Sequence, residues 1–202
     1  MVFDIGGVLL DWDPRHLYRK LFDDEEAMDR FLEQVCTMEW HEGHDRGCPL
    51  AESCETLAAA HPEQAELIRA WGRRSEEMVA GPIEGTVQIL RELRRAGVAC
   101  YALSNMERET YPQRVARYPF LSWFDGAVVS GYEGVVKPDR RIFELLLSRF
   151  DLRPSSTLLI DDSAANVEAA HSLGMRALRF RSPDQLRAEL ERLKLLAPAE
   201  SR

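Results

Sequence analysis

Four places in this 202-residue sequence carry side chains that could together move a phosphoryl group. Asp4 follows the apolar pair Val2-Phe3 and precedes Gly6-Gly7. Ser104-Asn105 follow an apolar run over residues 98–103, and Asp161-Asp162 follow another over 157–160. Lys137 lies between them in chain order, in the segment GVVKPD, where Pro138 marks a helix start. A carboxylate can attack phosphorus to give an aspartyl-phosphate. The charge on the transferring group then calls for a divalent cation and fixed donors. Mg²⁺ accepts one or two carboxylates, a backbone carbonyl, waters and phosphate oxygens. An ammonium and a hydroxyl suit the oxygens left over. Each group also has a plainer explanation. Asp4 can cap a turn between glycines, Ser104-Asn105 and Asp161-Asp162 can cap the helices that follow them, and Lys137 can be a solvated surface lysine. Their coincidence at the ends of apolar runs favours chemistry over capping. So does the rarity of lysine: of 26 basic residues only Lys20, Lys137 and Lys194 are lysines, and arginine does not replace lysine at a point-charge site.

These groups meet only if the apolar runs are parallel strands of one sheet. From residue 85 onward the chain alternates in the way that requires. A helical period over 87–95 ends at Gly97, and the run 98–103 follows; a helical piece interrupted by Pro112 leads to the run 127–129. Pro138 opens a helix through Phe150, the run 157–160 precedes a helix over 164–173 closed by Gly174, and the run 175–180 precedes a last amphipathic helix over 183–196. Short continuous apolar runs between helices predict a parallel sheet covered on both faces. The expected fold is therefore α/β: a Rossmann-like three-layer α/β/α core over residues 1–14 and 82–202. Its opening strand is short, since only three residues precede Asp4 and strands usually run to about five or six; the given chain could also start inside a longer one.

Residues 15–81 read as an all-helical cap inserted after that strand. Asp13-Pro14 start a helix over 15–22, Asp23 to Glu26 start another, and helical spacing recurs over 50–60 and from 63 to about 79. Residues 80–85 read as a linker. The polar segment from Trp40 to Cys48 reads as a loop and is the expected place for cap residues that face the substrate. His41 and His44 there do not form an H-E-x-x-H pair and a glycine interrupts them, so they are expected on a surface loop rather than on a metal, with Asp45 or Arg46 as candidate substrate contacts.

The totals exclude several classes. A formal charge of −8 works against nucleic-acid binding and against a polybasic membrane patch. No apolar run approaches the roughly eighteen residues of a membrane span, and no basic region followed by an apolar stretch opens the chain. Cys36, Cys48, Cys54 and Cys100 lack metal-ligand spacing. Reduced thiols and a cytoplasmic setting are expected, with a small phosphorylated metabolite as partner and monomer and homodimer both open.

The four motifs VFDIGGVLLDWD, YALSNM, GVVKPDRRIFELLL and LLIDDSAANVEAAHSLGM, in that order, resemble those of the haloacid dehalogenase-like hydrolases, a family of Mg²⁺-dependent phosphotransferases with an aspartate nucleophile. The helical insert resembles the cap of the subgroup that includes sugar-phosphate phosphatases. The first motif, with its glycines, is similar to that of bacterial α-D-glucose-1-phosphate phosphatases. The resemblance implies that Asp4 is nucleophile and metal ligand, that the Gly6 backbone carbonyl is a second ligand, that Asp162 binds Mg²⁺ directly and Asp161 directly or through water, and that Ser104, the Asn105 amide and Lys137 hold the phosphoryl group. One position departs from the pattern. Most phosphatases of the family have an acid/base aspartate two residues after the nucleophile, where this chain has Gly6. The expected consequence is a substitute proton donor, Asp11 or the substrate itself, or slow turnover favouring good leaving groups. Two alternatives follow: a 2-haloacid dehalogenase on the same scaffold, against which the adjacent Asp161-Asp162 pair argues because that chemistry needs no metal, and a phosphate-binding or regulatory protein weakened by Gly6. A receiver domain, which also joins aspartates, a hydroxyl and a lysine, fits less well because it has no helical insert.

Overall fold

Strands apolar on both faces need cover on both sides, and the central strands here have it. The computed structural model describes residues 1–197. Strand β1 (Val2–Phe3) sits in the middle of a five-stranded sheet with β4 (Tyr101–Ser104), β5 (Gly126–Val129), β6 (Leu158–Asp161) and β7 (Arg176–Arg179), in the order β5-β4-β1-β6-β7. Every pairing is parallel; Phe3 pairs with Ala102 on one side and Ile160 on the other. Strand β1 is two residues long, and Asp4 extends its ladder by donating its N–H to the Ile160 carbonyl at 2.9 Å.

Helices cover both faces. Successive residues point to opposite sides, so Phe3, Ala102 and Ile160 join one cluster while Val2, Leu103 and Leu159 join another. Eleven α-helices occur among the described residues: α1 (Arg15–Tyr18), α2 (Glu25–Gln34), α3 (Met38–Asp45), α4 (Leu50–Ala60), α5 (Ala65–Arg73), α6 (Glu84–Arg95), α7 (Thr110–Arg117), α8 (Ser130–Glu133), α9 (Arg140–Arg149), α10 (Ala164–Ser172) and α11 (Pro183–Arg192). The first cluster takes Val87, Ile89, Leu90 and Leu93 of α6 with Leu186 and Leu190 of α11. The second takes Ile142, Phe143 and Leu146 of α9 with Ala170 of α10. The result is the expected α/β architecture of three layers.

Helices α1 to α5 bury an apolar cluster of their own, with Leu17, Tyr18, Met28, Phe31, Ile68, Trp71 and Met78 at its centre. Two expectations are corrected here. Residues 80–85 are not a plain linker. Strand β3 (Val79–Pro82) pairs antiparallel with β2 (Leu10–Trp12), Asp11 opposite Gly81. This ribbon holds the entry and exit of the helical insert side by side. It escaped the pattern because A-G-P has neither strand propensity nor alternation. The polar segment 41–47 is likewise not a loop: it forms most of α3, which Thr37 caps by accepting the Trp40 N–H at 3.1 Å. Its buried face carries His41, His44 and Asp45, so it shows no apolar stripe to betray the helical period. Among the described residues no helix is long and apolar enough to cross a membrane, and all four cysteines are unpaired.

Candidate active site

The carboxyl edge of a parallel sheet is where such folds gather polar groups, and this one gathers Asp4, Ser104, Lys137 and Asp161. Lys137 is the hub. Its side chain is 1% exposed, and its Nζ lies 2.8 Å from Asp4 Oδ2 and 2.7 Å from Asp161 Oδ2. Asp161 is held from its other oxygen, Oδ1, which accepts the Ser163 N–H at 3.0 Å and the Asn166 side-chain amide at 2.9 Å. Asp4 Oδ1 accepts the Ile5 N–H at 2.7 Å. The Asn105 side chain clasps the backbone of Lys137, donating to its carbonyl at 3.0 Å and accepting its N–H at 2.8 Å. Asn105 therefore positions Lys137. Ser104, at the end of β4, is buried.

Asp162 completes the acidic set from the rim. Asp4, Asp161 and Asp162 each offer an oxygen within 4.8 Å of the others. A compact set of carboxylate oxygens is a hard donor set, and it suits Mg²⁺. Gly7 makes the approach possible. Its φ of +69° lies in the left-handed region, and a Cβ there would come within 2.4 Å of Asp162 Oδ2. Gly6 is under no such constraint: a Cβ would meet only Trp12 Cβ, at 4.0 Å. The bare position is a matter of chemistry, since space for a side chain exists.

The electrostatics follow from placing Asp4 and Asp161 around one buried ammonium, with the exposed Asp162 at the rim. Burial pushes the Asp4 carboxyl up to about 7, with Lys137 pulling the other way and Asp161 adding to the rise. Asp162 is raised as well, by burial and by Asp161. Burial alone would lower the Lys137 ammonium, but Asp4 and Asp161 outweigh it and hold the group charged. The site has more negative charge than its lysine can neutralise, which is the condition a divalent cation relieves.

Other expected contacts fall elsewhere. Asp11 is exposed and bonded to His16 Nε2 at 3.1 Å, turned to solvent rather than offered as an acid. Arg46 is half exposed and pairs with Glu42 one helical turn away. His41 and His44 are corrected most. They are buried, not on a surface loop, and lie with Glu107 in a second cluster whose ligand-type atoms are within 4.8 Å of one another. Burial pushes both imidazoles down to about 4, with His41 also lowering His44. Asp45 is buried beside them, its carboxyl pushed up to about 8 by burial, then by Glu107 and Asp4. Glu107, Asn166 and Gly7 did not stand out as site residues in the sequence. Only the i, i+3 spacing of His41 and His44 hinted at a shared helix face.

Acidic oxygens thus cluster around a single ammonium at the carboxyl edge of a parallel sheet. The chain belongs to the haloacid dehalogenase-like hydrolase family, whose model matches residues 1–174. It is 29% identical over 180 residues to the sesquiterpene phosphatase astK of Aspergillus oryzae, covering 89% of this chain and 88% of that one. Its fold matches that of a HAD-like family hydrolase from Porphyromonas gingivalis with a TM-score of 0.72 at 21% identity, covering 96% of both chains. It also matches a HAD-family enzyme of Bacteroides thetaiotaomicron solved with magnesium and inorganic phosphate, with a TM-score of 0.68 at 19% identity, covering 90% of this chain and 93% of that one.

Proposed function

We propose that this protein is a Mg²⁺-dependent phosphatase of a small phosphorylated metabolite, working through an aspartyl-phosphate on Asp4. The observation that carries the reading is the convergence of Asp4, Asp161 and Asp162 on one metal-sized space with Lys137 bonded to two of them. A carboxylate oxygen of Asp4 attacks phosphorus, and the bond to the leaving oxygen breaks; water then attacks the phosphoryl group and restores the carboxylate. Bound Mg²⁺ would supply charge neutralisation at the phosphoryl oxygens, held by Asp4, Asp162 and the Gly6 carbonyl, with Asp161 directly or through water. Lys137 and Ser104 hold the remaining oxygens. The helical insert serves as a cap that keeps bulk water from the site and selects the substrate. The metal-type carboxylate set weighs against metal-free dehalogenation.

Substrate class is a finer reading. The first motif favours a sugar 1-phosphate, while the likeness to a sesquiterpene phosphatase makes terpenyl phosphates the comparison to run beside it. The test is hydrolysis of p-nitrophenyl phosphate, sugar 1-phosphates and terpenyl phosphates, with and without Mg²⁺. Asp4→Asn, which leaves Lys137 paired with Asp161, should fold and lose turnover. Turnover that persists in Asp4→Asn, or without metal, overturns the mechanism.

A further inference from the structure

We propose that His41, His44 and Glu107 form a second divalent-cation site, of the two-imidazole and one-carboxylate type, that fastens the helical insert to the α/β core. It takes a borderline transition metal, with Zn²⁺ as the expected occupant, and stands independently of the phosphatase reading. His41 and His44 lie three residues apart on α3 and so share one face. Glu107 comes from the core, three residues beyond Ser104. All three are buried, His44 completely.

The polar atoms have no other use. Both ring nitrogens of His44 and Nδ1 of His41 are buried without a hydrogen-bond partner. A neutral imidazole carries one donor and one acceptor, and each buried group left unsatisfied costs about 1–3 kcal/mol. His41 Nδ1 stands 3.7 Å from Glu107 Oε1, too far for a hydrogen bond. It is close to the ~3.3 Å that separates two ligand atoms around a tetrahedral ion with bonds near 2.0–2.1 Å. Charge also points to a cation: among the described residues the sole partner of Glu107 within ion-pair distance is His41.

The ligands are held rather than free to rearrange. Trp12 stacks on His41 at 5.2 Å, and Trp40 meets His44 edge-on at 4.4 Å. Asp45 Oδ2 lies on the other side of His41, 3.7 Å from Nε2. Glu107 rides on a loop locked to α8. Met106 N donates to Ser130 Oγ at 3.0 Å, Gly131 N to the Met106 carbonyl at 3.1 Å, and Arg108 Nε to the Gly131 carbonyl at 3.3 Å. The imidazole nitrogens separate this set from the oxygen-only set at Asp4 and favour Zn²⁺ over Mg²⁺.

The full chain, stripped with chelator and dialysed, is titrated with Zn²⁺, Co²⁺ and Mg²⁺. Retained metal is measured by elemental analysis, Co²⁺ by visible absorption, and stability by thermal unfolding. One Zn²⁺ per chain is expected, with a rise in Tm and tetrahedral Co²⁺ bands, unchanged in Asp162→Asn, which damages the acidic set alone. In His44→Ala the affinity should fall roughly 100-fold or more, since even changes to groups behind a ligand typically cost 10–100-fold. Absence of stoichiometric Zn²⁺ in the folded wild type, or loss of binding in Asp162→Asn, overturns the proposal. So does equal binding by a folded His44→Ala. If His44→Ala does not fold, the wild-type stoichiometry and the Co²⁺ spectrum of Asp162→Asn decide alone.

Discussion

Placing an aspartate at position 6 should raise turnover without rebuilding the site. Gly6 lies outside the left-handed region, and a Cβ there meets nothing nearer than Trp12 Cβ at 4.0 Å, so Gly6→Asp needs no backbone movement. Replacing glycine where the backbone tolerates it stabilises by about 0.4–1 kcal/mol through the unfolded chain, which offsets part of the repulsion from Asp4. The new carboxyl would stand two residues from the nucleophile, able to protonate the leaving oxygen and later to activate water. General acid/base catalysis is typically worth ~10²–10⁴-fold, or about 3–5 kcal/mol of barrier. The gain should depend on the leaving group. An alkyl phosphate, whose alkoxide departs poorly, should gain ~100-fold or more in kcat. p-Nitrophenyl phosphate should gain far less, because its phenolate leaves without a proton. Gly6→Asn, of the same shape but unable to transfer a proton, should stay at the wild-type rate. Steady-state kinetics on both substrates, with Mg²⁺ affinity measured in parallel, provide the test. An unchanged alkyl-phosphate rate in a folded Gly6→Asp protein that still binds Mg²⁺ would refute the idea that Gly6 leaves an acid/base gap.

Gly7→Ala should keep the fold and weaken Mg²⁺ by at least about tenfold by calorimetry, because its Cβ lands 2.4 Å from Asp162 Oδ2 at a φ of +69°, where a side chain also costs roughly 1–2 kcal/mol. Lys137→Met should lower metal-free stability by about 3–5 kcal/mol in urea, since it leaves Asp4 and Asp161 buried without their counter-charge; an unchanged midpoint contradicts the charge balance drawn above. Mg²⁺ affinity should fall about tenfold per pH unit below 7, because ligation needs the Asp4 carboxylate and burial holds that group up at about 7; a flat profile over pH 5.5–7 counts against Asp4 as a ligand. For the metal-free protein, the raised Asp4 and Asp45 favour folding at low pH and lose that contribution as pH climbs to about 7 and 8. The depressed His41 and His44 act oppositely from about 4 to 6.5, while Asp162, also raised, adds to the carboxyl side, so urea unfolding should show a shallow decline there and a steeper one from 6.5 to about 8.

Much of the core was legible because each apolar run stops at a polar residue. Asp4, Ser104 and Asp161 end strands covered on both faces, where continuous hydrophobicity gives way to a side chain that has to be explained. Lys137 was legible by scarcity, and its role as the bridge between two carboxylates follows from the parallel register that sets β1 beside β6. Asn105 was read as a helix cap or a phosphate contact. The pattern could not show that its side chain is spent on the Lys137 backbone, 32 residues away. The ribbon of β2 and β3 was illegible for a different reason. Its partners lie about 70 residues apart, one run is only three residues long, and the other contains a glycine and a proline. Such a pair is stable only because the insert between them folds, and no local property records that.

The misreading of α3 has a physical cause that bears on how the insert is held over the core. Helical periodicity is a record of apolar burial, and α3 buries imidazoles and a carboxylate instead. Such a face is costly unless something satisfies it, and what faces it is Glu107, fixed to α8 through Met106 and Gly131. The loop that carries Glu107 begins where β4 ends at Ser104, at the sheet edge that also holds Asp4, with Asn105 between them gripping Lys137. Insert and Lys137 are thus anchored within four consecutive residues, 104–107. On the proposal above, a cation held by His41, His44 and Glu107 would set how firmly α3 is seated on the core. A helix with an apolar face could dock on the core by burial alone; α3 docks through groups whose pairing depends on what occupies the space between them.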